Sequence, residues 1–278
     1  MFESIRFMGS GLGYRKELFE GSVCLKDKVD CVEIVSEHYL KETDRNEKAL
    51  EMLTDNYNVL LHGLGLSLGS PIIDKVYLMN IKRLVLQTKV PYYTDHLSIT
   101  RSAGFTYGHL SPILYTRSSL ESCIENVNRI QDVLGIPLAL ENITYGFDIT
   151  DSQISHGDFL SELVERTGCG LLLDLTNVFI NSHNHSFNPE DYLDAFPLSH
   201  VIHIHTSGGH RDNNGGYIDS HSYSVPQEVW SLLEYVLPKT SVKSVILERD
   251  GRYDESGDSV IEDVAISRSY LDKLKVPA

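Results

Sequence analysis

Residues 171–185 read LLLDLTNVFINSHNH, an apolar run that ends in Asp174 and Asn177 and is followed at once by His183 and His185. A carboxylate at the end of a buried strand is costly unless something charged sits beside it. The same arrangement, a short apolar run closed by His, Asp or Glu, recurs along the chain. The runs are Ile5 to Met8, Val29 to Val35, Val59 to Leu61, Tyr92 to Leu97, Pro137 to Leu140, Gly170 to Leu175, Val201 to Ile204 and Val242 to Leu247. Segments of helical period separate them, which is the pattern of βαβ units around a parallel sheet.

Three of the helices carry plain boundaries. From Ser118 to Leu134, Leu120, Cys123, Ile124, Val127, Ile130 and Leu134 fall at three-and-four spacing before Gly135, so one face is apolar and a stop follows. Ser155 and Asp158 precede Phe159, Leu160, Leu163 and Val164, with Gly168 as the stop. Pro226 suits the first turn of a helix carrying Val229, Trp230, Leu232, Leu233 and Val236. Eight strands joined by such crossovers close best as a (β/α)8 TIM barrel, a single domain over residues 1–278. An open doubly wound sheet is the alternative, but GSGLGYR after the first run matches a phosphate-binding turn only loosely.

The chain has 278 residues and a net charge of -15. That charge argues against nucleic acid and anionic membrane as partners, since both need a positive surface. No basic segment with an apolar core opens the sequence and no apolar run nears ~20 residues, so the expected location is the cytoplasm. Cys24, Cys31, Cys123 and Cys169 form no CxxC pair and sit in apolar patterns, which predicts buried free thiols.

Parallel strands in a barrel deliver their closing residues to one rim. His62 ends the third run, Asp95 and His96 the fourth, Glu141 and Asn142 the fifth, and Asp174 and Asn177 the sixth. His203 and His205 end the seventh, Asp219 and His221 follow in its loop, and Glu248, Arg249 and Asp250 end the eighth. Any single histidine at a strand end is more often a satisfied polar residue than a ligand, and Asn142 and Asn177 have a simpler use as helix caps. Six successive strand ends of this kind instead point to metal. Mixed His and carboxylate donors without cysteine suit iron, manganese or zinc, and the donors exceed the needs of one ion. Val178 to Ile180 extend the apolar run past Asn177, which favours Asn177 as a ligand. His109, His156, His183, His200 and His210 read as loop or surface histidines. Glu33, Glu37 and His38 close the second run, where they either orient substrate or cap.

Several blocks in order resemble one family. GLGYRKELF (11–19), LHGLGLSLGSP (61–71), TDHLS (94–98), ALENITY (139–145), LLLDLTNVFINSHNH, IHIHTSGGH (202–210), IDSHSYSVPQEVW (218–230) and ILERD (246–250) are similar to the multinuclear non-haem iron-dependent oxidative enzymes (MNIO) of the methanobactin-biosynthesis-oxidase type. The resemblance implies a TIM barrel with two or three iron ions (Fe2+/Fe3+), held by His62, His96, Glu141, Asp174, Asn177, His205, Asp219, His221 and Glu248, with His62, Glu248 and Asp174 central to catalysis. It further implies O2 as co-substrate, a ribosomally made precursor peptide oxidised at cysteine, and a small partner protein that delivers the precursor. Glu37, Asn142, Arg249 and Asp250 are the residues expected to contact substrate. Alignment of PLSHV favours His205 over His203 as the ligand. The chain departs from the family at Glu37-His38-Tyr39 and at GRYDESGD after ILERD. Rival readings are a divalent-metal TIM-barrel isomerase or phosphodiesterase/endonuclease, and a metal-binding scaffold or delivery protein without activity. No lysine closes a strand run, which counts against the isomerase.

Overall fold

The computed structural model describes residues 2–19, 25, 27–102, 104–146, 151–213, 215–254 and 257–275. Cys24 lies outside them. In chain order the strands are β1 (Gly9–Gly13), β2 (Cys31–Val35), β3 (Val59–Gly63), β4 (Tyr93–His96), β5 (Ile99–Ser102), β6 (Phe105–Ser111), β7 (Leu138–Glu141), β8 (Gly170–Asp174), β9 (Val201–Thr206), β10 (Gly208–Arg211), β11 (Tyr217–Tyr223) and β12 (Ser244–Leu247). The helices are α1 (Lys16–Phe19), α2 (Asp44–Asn56), α3 (Lys75–Thr88), α4 (Arg117–Leu134), α5 (His156–Thr167), α6 (Leu175–His185), α7 (Pro189–Asp194), α8 (Gln227–Val236) and α9 (Asp258–Lys275).

Strands β1, β2, β3, β4, β7, β8, β9 and β12 are all parallel and each pairs with the next, β12 closing onto β1. This is the expected (β/α)8 barrel as a single domain. The remaining strands form two antiparallel hairpins, β5–β6 and β10–β11, that follow β4 and β9 at the C-terminal rim. Asp219 and His221, expected in a plain loop, therefore sit on a strand, β11.

The capping residues explain the helix boundaries. Thr116 and Ser119 form a reciprocal capping box at the start of α4, and Gly135 stops it in the left-handed conformation at φ 75°. Ser155 caps α5 by accepting from the Asp158 amide, and Gly168 ends it. Pro226 stands one residue before the expected first turn, as the N-cap of α8.

One strand departs from the sequence reading. Ile5 to Met8 is not β1; the strand is the glycine-rich segment that follows. A β-carbon on Gly11 would lie 2.5 Å from the Cys31 sulfur and 2.6 Å from Ile246 Cδ1, so this wall accepts no side chain and shows no hydrophobic signature. The residues read as the strand instead plug the barrel. Phe2, Ile5 and Met8 pack with Cys31, Leu60, Tyr92, Ile202 and Ile246, residues at or near the beginnings of their strands. The larger core lies between the outer strand faces and the helices. Ser267, the polar residue on the inner face of α9, is fully buried and bonds the Ser10 hydroxyl. Cys31, Cys123 and Cys169 are buried and free. Among the described residues no helix is long and apolar enough to cross a membrane.

His156 is not the surface histidine its sequence context implies. Its ring stacks between Tyr115 and Tyr192, with centroids 5.0 and 5.1 Å away, and meets Phe196 edge-on. Burial there lowers its pKa to about 4, below the ~6.5 of an unfolded histidine. The neutral ring is thus the one that fits, so its contribution is complete above ~6.5 and is lost as pH falls from there toward 4. The urea midpoint of the wild-type protein should drop across that interval by more than that of a His156→Phe variant; equal drops would contradict this role.

A candidate metal centre at the C-terminal rim

The strand ends form a cavity of about 490 Å³ whose lining includes His62, His96, Glu141, Asn177, Asp219, His221 and Glu248, with Arg15, His38 and Asp250 at its mouth. Alternation along each strand explains the convergence, since Cys31 and Glu33, Leu60 and His62, Ala139 and Glu141, and Ile246 and Glu248 are paired at period two. The apolar member of each pair lies deeper and the polar member faces the rim.

Glu141, at the end of β7, is shared. Its Oε2 lies 3.4 Å from His62 Nε2 and 3.1 Å from His96 Nε2, while its Oε1 lies 3.5 Å from His205 Nδ1. The opposite ring nitrogens fix what those atoms offer. His96 Nδ1 meets the Gly63 carbonyl at 3.2 Å, an acceptor only, so it carries the proton. Thr94 gives its own proton to the Leu61 carbonyl, leaving its oxygen to accept from His62 Nδ1 at 2.9 Å. Both rings therefore turn Nε2, in the neutral form a lone pair, toward the same carboxylate oxygen. Acceptors facing one another at this distance repel unless a cation lies between them.

The second cluster repeats the pattern. His205 donates from Nε2 to Glu33 Oε1 at 2.8 Å, which turns Nδ1 toward Glu141 and, at 3.4 Å, Glu248 Oε2. Asp174 caps α6 through Oδ1, accepting from the Asn177 amide at 2.7 Å, and leaves Oδ2 buried and unpaired. Ligating atoms of Glu141, Asp174, His205 and Glu248 lie within 4.8 Å of one another, as do those of His62, His96 and Glu141, and of Glu33, His62 and His205. Beside them His221 Nε2 approaches Asp219 Oδ1 to 2.7 Å without the alignment of a hydrogen bond, and His221 Nδ1 lies 3.5 Å from Glu248 and 3.4 Å from Asp250. His221 holds φ at 47°, a left-handed conformation that costs about 1–2 kcal/mol for a residue with a β-carbon.

Burial and mutual charge strain the titration of the whole group. Burial, with Glu141, Asp219 and Glu248 adding repulsion, pushes the Asp174 carboxyl well above its usual range. Burial pushes Glu248 the same way, but His205 and His221 outweigh it and hold Glu248 well below. Against burial, Glu248 leads the carboxylates that raise His205 far above its usual value and bring His221 to about 12. Burial, reinforced by His96 and His205, holds His62 well below. The carboxylates thus demand positive charge, which protons on His205 and His221 or metal cations can supply. The donor set, imidazole and carboxylate without thiolate, fits first-row metals such as iron, manganese or zinc.

The remaining expected residues are placed as follows. Asn177 lies in the first turn of helix α6, so the apolar residues Val178 to Ile180 are helical and do not extend the strand; its amide donates to the Asn142 carbonyl and its Oδ1 is buried without a partner among the described residues. Asn142 clamps β8 by exchanging two 2.9 Å bonds with the backbone of Asp174. The Arg249 guanidinium turns away to Asp263 at 3.1 Å and to Ser224. Asp250 pairs with Arg15 at the mouth. Glu37 lies outside the cavity, its Oε1 accepting from the Leu64 amide and the Tyr77 hydroxyl. Asp95 accepts from the amides of Leu66 and His96, and burial raises its pKa to about 7. His203 is turned below the cluster toward Glu33 and Tyr92, and His183 and His185 pack on Phe179 and Tyr145.

Sequence reasoning underweighted Glu33 and missed Thr94, which act through the histidines they orient. Period two was the available signal, because Glu33 and Thr94 share an inward face with Cys31 and His96. Partners that fix a ligating histidine are typically worth ~10–100-fold in metal affinity. Thr94→Val should weaken metal binding by about that factor in a chelator competition while the circular dichroism spectrum is unchanged; unaltered affinity would refute the orienting role.

Residues 9–271 match the family described as RiPP precursor modification enzyme MbnB/TglH/ChrH. A UPF0276 protein of Caulobacter vibrioides is 34% identical over 265 residues, covering 94% of each chain, and one from Anaeromyxobacter sp. is 34% identical over 260 residues, covering 92% of this chain and 91% of its own. Among solved structures, a D-psicose 3-epimerase from Clostridium cellulolyticum (TM-score 0.55, 13% identity, 96% of this chain and 98% of that one) and a D-tagatose 3-epimerase-like protein (TM-score 0.55, 17% identity, the same coverage) share the barrel. At those identities the likeness is one of fold. The match across nearly the whole chain places this protein in the MbnB/TglH/ChrH family of RiPP precursor modification enzymes.

Proposed function

We propose that the protein is an O2-dependent multinuclear iron oxidase that modifies a ribosomally synthesised precursor peptide at cysteine. The observation that carries this reading is the shared Glu141, with one oxygen toward His62 and His96 and the other toward His205. A carboxylate so placed suits two cations at once, His62, His96 and Glu141 holding one and Glu141, Asp174, His205 and Glu248 the other. Asp219 and His221 would complete the set or hold a third, with Asn177 Oδ1 as a further neutral donor. When bound, such a cluster supplies electrons for O2 and an open position for a substrate thiolate.

The chain's own residues do the rest. Glu33 and Thr94 hold the rings of His205 and His62 so that one nitrogen of each stays free for metal. Leu64, Leu110 and Ile143 give one side of the cavity an apolar surface. Arg15, tied to Asp250, stands at the mouth where a peptide carbonyl or carboxylate would pass. A small delivery protein and a cytoplasmic setting belong to the same proposal.

The rival is a divalent-metal isomerase or phosphodiesterase on the same barrel. No lysine lines this cavity among the described residues, which weighs against the isomerase. Protein purified without oxygen should contain iron and consume O2 with a cysteine peptide. His62→Ala and Glu248→Gln should each retain the fold and slow that uptake by about a hundredfold or more. Full activity in either variant, or turnover with magnesium or manganese and no O2 uptake, would overturn the proposal.

A further inference from the structure

Beside the metal cavity, under the β5–β6 hairpin, runs a second space of about 430 Å³. The two adjoin, for Leu64 and Leu110 line both. The second space is walled on one side by Leu40, Leu64, Tyr77 and Leu110, an apolar patch. Polar side chains border it too, and three of them, Glu37, Thr100 and Arg101, each keep one buried atom without a partner among the described residues. Glu37 uses Oε1 for the Leu64 amide and the Tyr77 hydroxyl and leaves Oε2 free. Arg101 pairs through Nη1 with Asp74 at 2.6 Å and leaves Nε free.

A peptide backbone can meet both kinds of need, an N–H to the unmet acceptor of Glu37 and a C=O to the unmet donor of Arg101. An extended chain also sends alternate side chains into such a groove. We infer that this groove selects the precursor: a peptide lies extended in it, bonded to Glu37 and Arg101, with an apolar side chain seated among Leu40, Leu64, Tyr77 and Leu110 at a fixed offset from the residue at the metals. The inference rests on the peptide substrate proposed above and adds the sequence feature that enzyme reads. Leu64, 40% exposed, tolerates change without cost to the core.

The test is binding of a randomised peptide library with one fixed cysteine to the metal-loaded protein without oxygen, followed by sequencing of the bound fraction. Leu, Ile, Val, Met or Phe should be enriched about tenfold at one offset from the cysteine, the size expected for burying such a side chain. Leu64→Asp should abolish that enrichment or redirect it to Lys and Arg, with the circular dichroism spectrum unchanged. Absence of enrichment at any offset, or enrichment untouched by Leu64→Asp, overturns the inference. Oxygen uptake with the same library is measured apart: enrichment without uptake leaves the groove standing and removes the oxidase reading, while uptake without enrichment does the reverse.

Discussion

The structure is organised by an electrostatic demand. Glu33, Glu141, Asp174, Asp219 and Glu248 converge at one end of a barrel whose other end is filled by apolar side chains, and four of them are nearly or fully withdrawn from water. Carboxylates this close cannot all ionise in a medium of low dielectric without matching positive charge. Imidazoles supply part of it, and the unpaired atoms that remain on Glu33, Glu141, Asp174, Asp219, His205 and His221 show that the protein groups do not complete the match by themselves. Cations would do what further side chains could not, because an ion accepts several lone pairs at once.

The parallel barrel makes that convergence possible. All eight strands end at the same rim, so neighbours in space come from positions as far apart as Glu33 and His205. Two hairpins replace plain loops there. β10–β11 carries Asp219 and His221 over the cluster, and β5–β6 roofs the apolar groove beside it. Below, the plug of Phe2, Ile5 and Met8 closes the barrel to water. Rigid strands thus hold the ligands, and the hairpins shape the approach.

Much of the fold was legible because burial leaves a period. Seven barrel strands lie where apolar runs predict them, and helices α4 and α5 begin and end at their caps. β1 was not legible, since close packing at Gly11 removes the side chains that would have marked it. At the rim, strand-end position found the residues that face the cavity, but not the direction of each side chain. Asn142 and Arg249 stand at strand ends beside site residues, yet one clamps the backbone of Asp174 and the other pairs with Asp263. Thr94 looked like an ordinary strand threonine, and His156 like a surface histidine, because hydrogen bonds and ring stacking across elements leave no trace in local sequence.

The sequence by itself determined the alternation of strands and helices, the placing of polar residues at six strand ends and the absence of cysteine among them. Those are properties of period and composition, written locally. Only the tertiary structure decided which nitrogen of each histidine is free, that Glu141 faces two clusters, that Glu33 lies beneath them, and that an apolar groove adjoins the cavity. Each depends on distances between strands remote in the chain, and barrel closure sets those distances.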